Sequence, residues 1–242
     1  MFTEVPPHYD LVNSVITWNM DKAWRKAAAM ACLENGPHRV LDLCCGTGDL
    51  AVLLARLAQA SVEISGLDYS QPMLARAEEK AERLAPGKKI RFVRGEADHL
   101  PFPDEHFDCV GVSFAFRNLT YRNPLAAAHL SEVLRVLRAG GRFVIVESSQ
   151  PEIAFIRACY HLYLRGYVAR VGNWLSGNRG AYHYLAESAS RYYSPPELRG
   201  ILEAGGFAHV GYRPFFLGAA GLTIAERPPT ESDKAQLSFQ PG

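Results

Sequence analysis

Apolar and polar positions along the chain fall into short runs that alternate between two periods. Residues 40–43 (VLDL) form a brief apolar run that leads into glycines, and residues 50–57 then repeat at helical spacing. Residues 62–67 read as a second strand and 71–84 as a charged helix; 90–93 and the longer 107–114 are further strands. Residues 125–137 are amphipathic and predict a helix that ends at Ala139-Gly140-Gly141, before an apolar strand over 142–147. Glycines at that point suit a helix C-terminus and a tight turn. Such alternation predicts a parallel sheet with helices on both faces.

After Pro151 the rhythm changes. Residues 153–175, 182–191 and 195–204 read as helices, and strand-like stretches follow near 207–213 and 217–225. The expectation is therefore an α/β, Rossmann-like architecture: a mainly parallel seven-stranded sheet that finishes in an antiparallel hairpin. A chain of 242 residues suits one domain. Its expected extent is 1–226, with an N-terminal helical lid over about 1–35 and a helical insertion over about 152–192. Residues 227–242 are polar and proline-bearing, and read as a flexible tail.

Composition narrows the partners. Apolar residues at 48% and charged residues at 21% are ordinary for a globular protein. Twenty-six basic against 25 acidic side chains leave a charge of +1, which argues against a duplex nucleic-acid binder. Five cysteines form no CxxC pair, so free thiols in a reducing compartment are expected, with neither disulfides nor a metal site. The opening MFTEVPPHYDLV lacks the pattern of a secretory signal, and no apolar stretch is long enough to span a bilayer. The expected location is the cytoplasm, or at most the inner face of a membrane.

The strongest local signal is VLDLCCGTGDLA over 40–51. Gly46 and Gly48 let the backbone turn sharply from strand to helix and leave room for a ligand at the helix N-terminus. Asp68, in GLDYS at the end of the next strand, is placed to accept hydrogen bonds from ribose hydroxyls. Residues 46–51 also satisfy the pattern of nicotinamide-dinucleotide proteins, so the loop alone is ambiguous. Asp42 and the segment after the third strand tip the choice toward S-adenosyl-L-methionine. An acid at 42 favours a positively charged methionine end and disfavours a pyrophosphate. The alternative for Asp42 is an acid that caps the helix or fixes the loop. Glu96 and Ala97, after the third strand, lie where an adenine would be held.

The segments DLCCGTGDLA, EADHLPFPDEHFDCVGVSFAFRN and VLRVLRAGGRFVIVE resemble the ubiquinone/menaquinone-biosynthesis C-methyltransferases, as do YDLVNSVITWNMDKAWRKAA and YHYLAES. The resemblance runs from about Tyr9 to about Gly221. It implies the fold of a class I S-adenosylmethionine-dependent methyltransferase, and a lipid quinol as methyl acceptor. It places Thr47, Asp68, Glu96, Ala97 and Ser113 on cofactor-binding positions. A homodimer and peripheral membrane contact are compatible with it.

Carbon methylation of a quinol needs an ionised ring hydroxyl, because phenolate charge spreads to the ring carbons. Arg117 and Asn118, in SFAFRN after the fourth strand, are the first candidates. A guanidinium is a poor base but stabilises an oxyanion, and Asn118 can hold the other ring oxygen. The alternative for Arg117 is a surface pair with Asp104 or Glu105. Tyr184 and Glu187 of YHYLAES are the next candidates. His183 between them stands where the resembled pattern usually has arginine. Tyr9, Asp10 and Asn13, with Trp24 and Arg25, form a candidate lid. Two departures stand out: Cys44 replaces the first glycine of the loop, and GAAGLTIAERPPT replaces a terminal segment that usually carries histidine and glycine.

In 153–173, Arg157, His161 and Arg165 recur at helical spacing, with Phe155, Ile156, Cys159, Tyr160, Tyr163 and Tyr167 largely away from them. Spacing alone favours an ordinary helix packed on the sheet. The other readings are contact with an anionic membrane, which the resemblance favours, and the lining of a greasy tunnel. Competing functions are O-methylation of another hydrophobic acceptor, a cofactor-binding subunit without catalysis, and a nicotinamide oxidoreductase.

Overall fold

The apolar runs become the strands of a single sheet. The computed structural model describes residues 17–168, 170 and 189–229. Within them, α1 (Met20–Leu33) precedes β1 (Arg39–Leu43), α2 (Asp49–Leu57), β2 (Glu63–Asp68), α3 (Gln71–Leu84) and β3 (Ile90–Arg94). β4 (Phe107–Ser113), the short α4 (Phe116–Thr120), α5 (Ala126–Val136) and β5 (Leu137–Ser148) follow. α6 (Ala154–Tyr163), α7 (Pro195–Ala204), β6 (Ala208–Phe215) and β7 (Ala220–Glu226) complete the set. The strand order is β3-β2-β1-β4-β5-β7-β6, and only β7 runs against its neighbours. The expected mainly parallel sheet with a final antiparallel hairpin is thus observed.

Burial on both faces explains the near-continuous apolar strands. Along β1, Val40 packs into one core layer, while Leu41 and Leu43 pack into the other. The first layer lies beneath α1 and α2 and contains Ala28, Cys32, Leu50 and Leu54. The second contains Phe107, Phe143, Leu198 and Phe207, with the Phe143 and Phe207 rings stacked at 5.4 Å. Local chemistry sets the helix ends. Ser194 and Glu197 form a reciprocal capping box at α7, and prolines occupy its first turn.

Four readings need correction. The amphipathic helix stops at Val136, and Gly140 and Gly141 lie inside β5, where a bulge opposite Phe107–Cys109 absorbs them. Gly140 donates its N–H to the Arg227 carbonyl and Gly141 accepts the Arg227 N–H, each at 2.9 Å. Arg227, placed by composition in the tail, therefore extends the pairing of β7 with β5. The last strand begins at Ala220 because residues 216–218 form a 3-10 turn. The helix expected from residue 153 becomes α6 and then widens into a π-helical turn over Leu164–Val168.

Candidate active site

The strand order reverses between β1 and β4, so the helices that follow them leave on opposite faces and a crevice opens at their C-terminal ends. A cavity of ≈ 830 Å³ fills this crevice. That is toward the upper end of the roughly 300–1,000 Å³ typical of ligand pockets.

The glycine loop forms its floor. Cys44, Gly46 and Gly48 all have positive φ, at 55°, 54° and 79°. A Cβ on Gly48 would come 2.9 Å from the Ala77 Cβ, so this glycine lets α2 pack against α3. Cys44 adopts the left-handed conformation without being glycine, a local strain of the kind concentrated at functional sites. Burial pushes the Cys44 and Cys45 thiols well up, which disfavours the thiolate form.

Asp42 is 1% exposed. Its Oδ2 accepts the Ala51 N–H in the first turn of α2 at 2.8 Å, so the capping alternative describes one oxygen. The other, Oδ1, is buried with no partner among the described residues, in a side chain that lines the cavity. Burial, reinforced by Asp49 and Asp68, pushes the carboxyl up to about 8. Asp68 accepts the Gly46 N–H through Oδ2 and the Ser70 N–H through Oδ1, each at 2.9 Å. It ties the loop to the end of β2 while lining the cavity.

The Thr47 hydroxyl accepts from Lys80 Nζ at 2.9 Å, and the same ammonium binds Asp49 at 2.6 Å. Its expected contact with an amino-acid end therefore competes with Lys80. Glu96 is exposed and Ala97 buried, both lining the cavity, and the Ser113 hydroxyl, at the end of β4, is buried with no partner among the described residues.

Beyond Ser113 the chain turns sharply at Phe114, whose φ is 56°. A bulky residue in this region is a genuine outlier, and here it directs α4 into the cavity. Trp24 of α1 lies 6.3 Å from the Phe114 ring and stacks on Phe215 at 6.2 Å, and the Arg25 guanidinium sits over Phe114.

Arg117 is 6% exposed and lines the cavity. The surface pairing considered for it is ruled out by geometry. Asp104 pairs with Arg135 and Glu105 with Arg227, each at 2.8 Å. Arg117 instead meets Glu147 and Ser148 at the end of β5. Asn118 lines the same cavity but is exposed, its carbonyl accepting from Asn123. Tyr184 and Glu187, with Tyr9, Asp10, Asn13 and His183, lie outside the described residues.

Sequence reasoning missed Glu147, and with it Ser148. The signal was an acid closing the apolar run of VIVES, at the strand end adjacent to Ser113. The sequence places Tyr160 on an apolar face that packs on the sheet, meets a membrane or lines a tunnel. Its phenol lines the cavity, and burial pushes it above the ordinary tyrosine range, opposed by Arg117. α6 also departs from an ordinary packed helix. Ile156, Cys159, Tyr160 and Tyr163 line the cavity, while Phe155 and Leu162 are 77% and 73% exposed. Arg157 and His161 of the basic stripe turn inward, to the Pro151 carbonyl and Gln150.

The sequence matches the ubiE/COQ5 methyltransferase family over residues 1–227. The chain belongs to this family. Demethylmenaquinone methyltransferase of Thermus thermophilus is 40% identical over 229 residues, spanning 94% of this chain and 100% of the relative. The enzyme of the same name from Deinococcus radiodurans is 40% identical over 94% of this chain and 91% of its own. A crystal structure of a SAM-dependent methyltransferase from Aquifex aeolicus shares the fold, with TM-score 0.55 and 21% identity over 78% of this chain and 82% of the other. As a member of the ubiE/COQ5 methyltransferase family the chain is a methyltransferase, and S-adenosylmethionine is its methyl donor. The residues present fit that donor: a glycine-lined loop, two buried oxygens without partners among the described residues in side chains that line the cavity, and an apolar chamber beside them.

Proposed function

We propose that the chain methylates a ring carbon of a polyprenylated quinol, demethylmenaquinol or a ubiquinol precursor. The observation that carries this reading is the burial of Arg117 in the wall of the cavity that also holds the glycine loop. A guanidinium in a water-poor pocket stabilises a ring oxyanion far better than it would at the surface. The names of the two 40% identical relatives point to the same substrate class.

In this reading Asp42 Oδ1 meets the ammonium of the methionine end, Asp68 the ribose, and Glu96 with the Ala97 amide the adenine edge. Ser113 supplies a further hydroxyl at the end of β4. When bound, S-adenosylmethionine supplies an electrophilic methyl group on a cationic sulfur. Arg117 holds the ionised oxygen of the quinol and orients its ring, and the open-sided Asn118 is left to contact the second ring oxygen. The apolar faces of Trp24, Phe114, Ile156 and Tyr160 exclude water. The displaced ring proton is released to a water that Arg117 orients.

A lipid acceptor makes peripheral membrane contact part of the reading. No helix among the described residues is long and apolar enough to cross a membrane. Trp18, Phe216 and Leu217 are exposed and also line the cavity, and Phe155 and Leu162 extend the apolar surface along α6. Flotation with anionic vesicles tests this part: binding that weakens in Phe155→Ser and Leu217→Ser is expected, and no binding with or without quinol contradicts it.

The function itself is tested by incubating the protein with labelled S-adenosylmethionine and a panel of demethylated naphthoquinols and benzoquinols. Transfer to at least one prenylated quinol is expected. Transfer to none of them overturns the proposal.

A further inference from the structure

We infer that Glu147 is a positioning residue that, with Ser148, sets the direction of the Arg117 guanidinium. This rests on the reading of Arg117 above and goes beyond it by assigning two residues no motif had singled out. Glu147 is 3% exposed and is the penultimate residue of β5, where it lines the cavity. Its carboxylate holds Arg117 at both ends. Oε2 accepts the Arg117 backbone N–H at 3.1 Å. Oε1 accepts the Ser148 hydroxyl at 2.9 Å, and that hydroxyl in turn accepts Arg117 Nη1–H at 3.2 Å. The Ser148 N–H also donates to Oε1 at 2.9 Å, and Nη1 stands 3.7 Å from it.

The consequence is an asymmetric guanidinium. Nη1 is engaged by Ser148, and Nε is buried without a partner. Nη2 makes no hydrogen bond among the described residues and is not one of the buried partnerless atoms, so it is the corner left to the cavity that Arg117 lines. A buried carboxylate is a poor choice for stability alone, since an apolar residue of similar size often serves at least as well. Here it selects one rotamer of a long, flexible side chain. Its oxygens are taken by protein donors, so Glu147 acts on the acceptor ring only through Arg117.

The test uses the full chain with S-adenosylmethionine and demethylmenaquinol, comparing Glu147→Gln, Arg117→Ala and the double variant. Gln keeps the size of Glu but removes the charge and turns one acceptor into a donor. Misplacement of an oriented group by about 1 Å costs up to about 100-fold, so Glu147→Gln is expected to lower kcat at least about tenfold. Quinol KM and the Kd of S-adenosylhomocysteine stay within about twofold, and in the Arg117→Ala background Glu147→Gln adds no further loss. Equal losses in both backgrounds, or a folded Glu147→Gln with unchanged kcat, overturn the inference. If Glu147→Gln does not fold, Ser148→Ala and Ser148→Thr carry the test. Alanine should lower kcat several-fold and threonine, which keeps the hydroxyl, should restore it; an alanine variant equal to wild type overturns the inference. Wild-type turnover in Arg117→Ala would instead defeat the proposed role of Arg117 itself.

Discussion

Asp42 accepts the Ala51 amide through Oδ2 at 2.8 Å and leaves Oδ1 buried with no partner. One carboxylate thus both fixes the start of α2 and keeps a buried, unsatisfied oxygen in a residue that lines the cavity. Its folded-state pKa is about 8, against an ordinary 3.8. A cationic ligand needs the ionised form. Below about pH 8 binding must therefore expel a proton, and affinity should rise with pH until the carboxyl is ionised in the free protein. The Kd of S-adenosylhomocysteine, which keeps the ammonium, should fall up to tenfold per pH unit across this window and then level. In Asp42→Asn this dependence should vanish and binding should be weaker at pH 8. Titration calorimetry in buffers of different ionisation enthalpy counts the proton; a slope shared by both proteins contradicts the assignment.

The same carboxyl makes stability depend on pH in the free protein. Its folded pKa lies above its unfolded one, so its contribution is fully present below about 4 and is lost as pH rises to about 8. The slope attributable to it is at most roughly 1.4 kcal/mol per pH unit. Denaturant midpoints measured from pH 5 to 8 should fall more steeply for wild type than for Asp42→Asn. Parallel curves would show that Asp42 does not titrate in this range.

Arg117→Ala should lower kcat by about 100- to 1,000-fold, the range seen when one oxyanion donor is removed. The Kd of S-adenosylhomocysteine should change less than about twofold, because the guanidinium is bound to Glu147 and Ser148 and not to the glycine loop. Proportionate losses in turnover and cofactor affinity would mean that Arg117 holds the fold of the site and not the reacting ring.

Gly48→Ala tests the loop. Its φ of 79° and the 2.9 Å approach to Ala77 penalise a side chain twice. The left-handed conformation costs about 1–2 kcal/mol and the overpacking about 1–3 kcal/mol. A lower denaturant midpoint and weaker cofactor binding are expected. An unchanged midpoint would show that α2 and α3 separate freely.

The first half of the fold was legible because buried parallel strands print their apolar runs directly into the sequence. Gly140-Gly141 misled because a helix stop and a β-bulge use the same residue, and the Arg227 backbone that selects the bulge is more than 80 positions away. α4 is a single turn, too short for periodicity to register. In the site, Asp42, Asp68 and Arg117 were visible as motif positions at strand ends. The environment of Arg117 was not. Asp104 and Glu105 are near it in sequence, yet tertiary packing gives them to Arg135 and Arg227 and brings Glu147, 30 residues on, beside it.

Carbon methylation is the claim on which the roles of Arg117 and its neighbours depend. The most direct measurement is a carbon NMR spectrum of the product formed from S-adenosylmethionine with a 13C-labelled methyl group and demethylmenaquinol. The label should appear as an aryl methyl attached to the quinone ring and survive reoxidation of the product. A labelled methoxy signal would place transfer on oxygen and contradict the account.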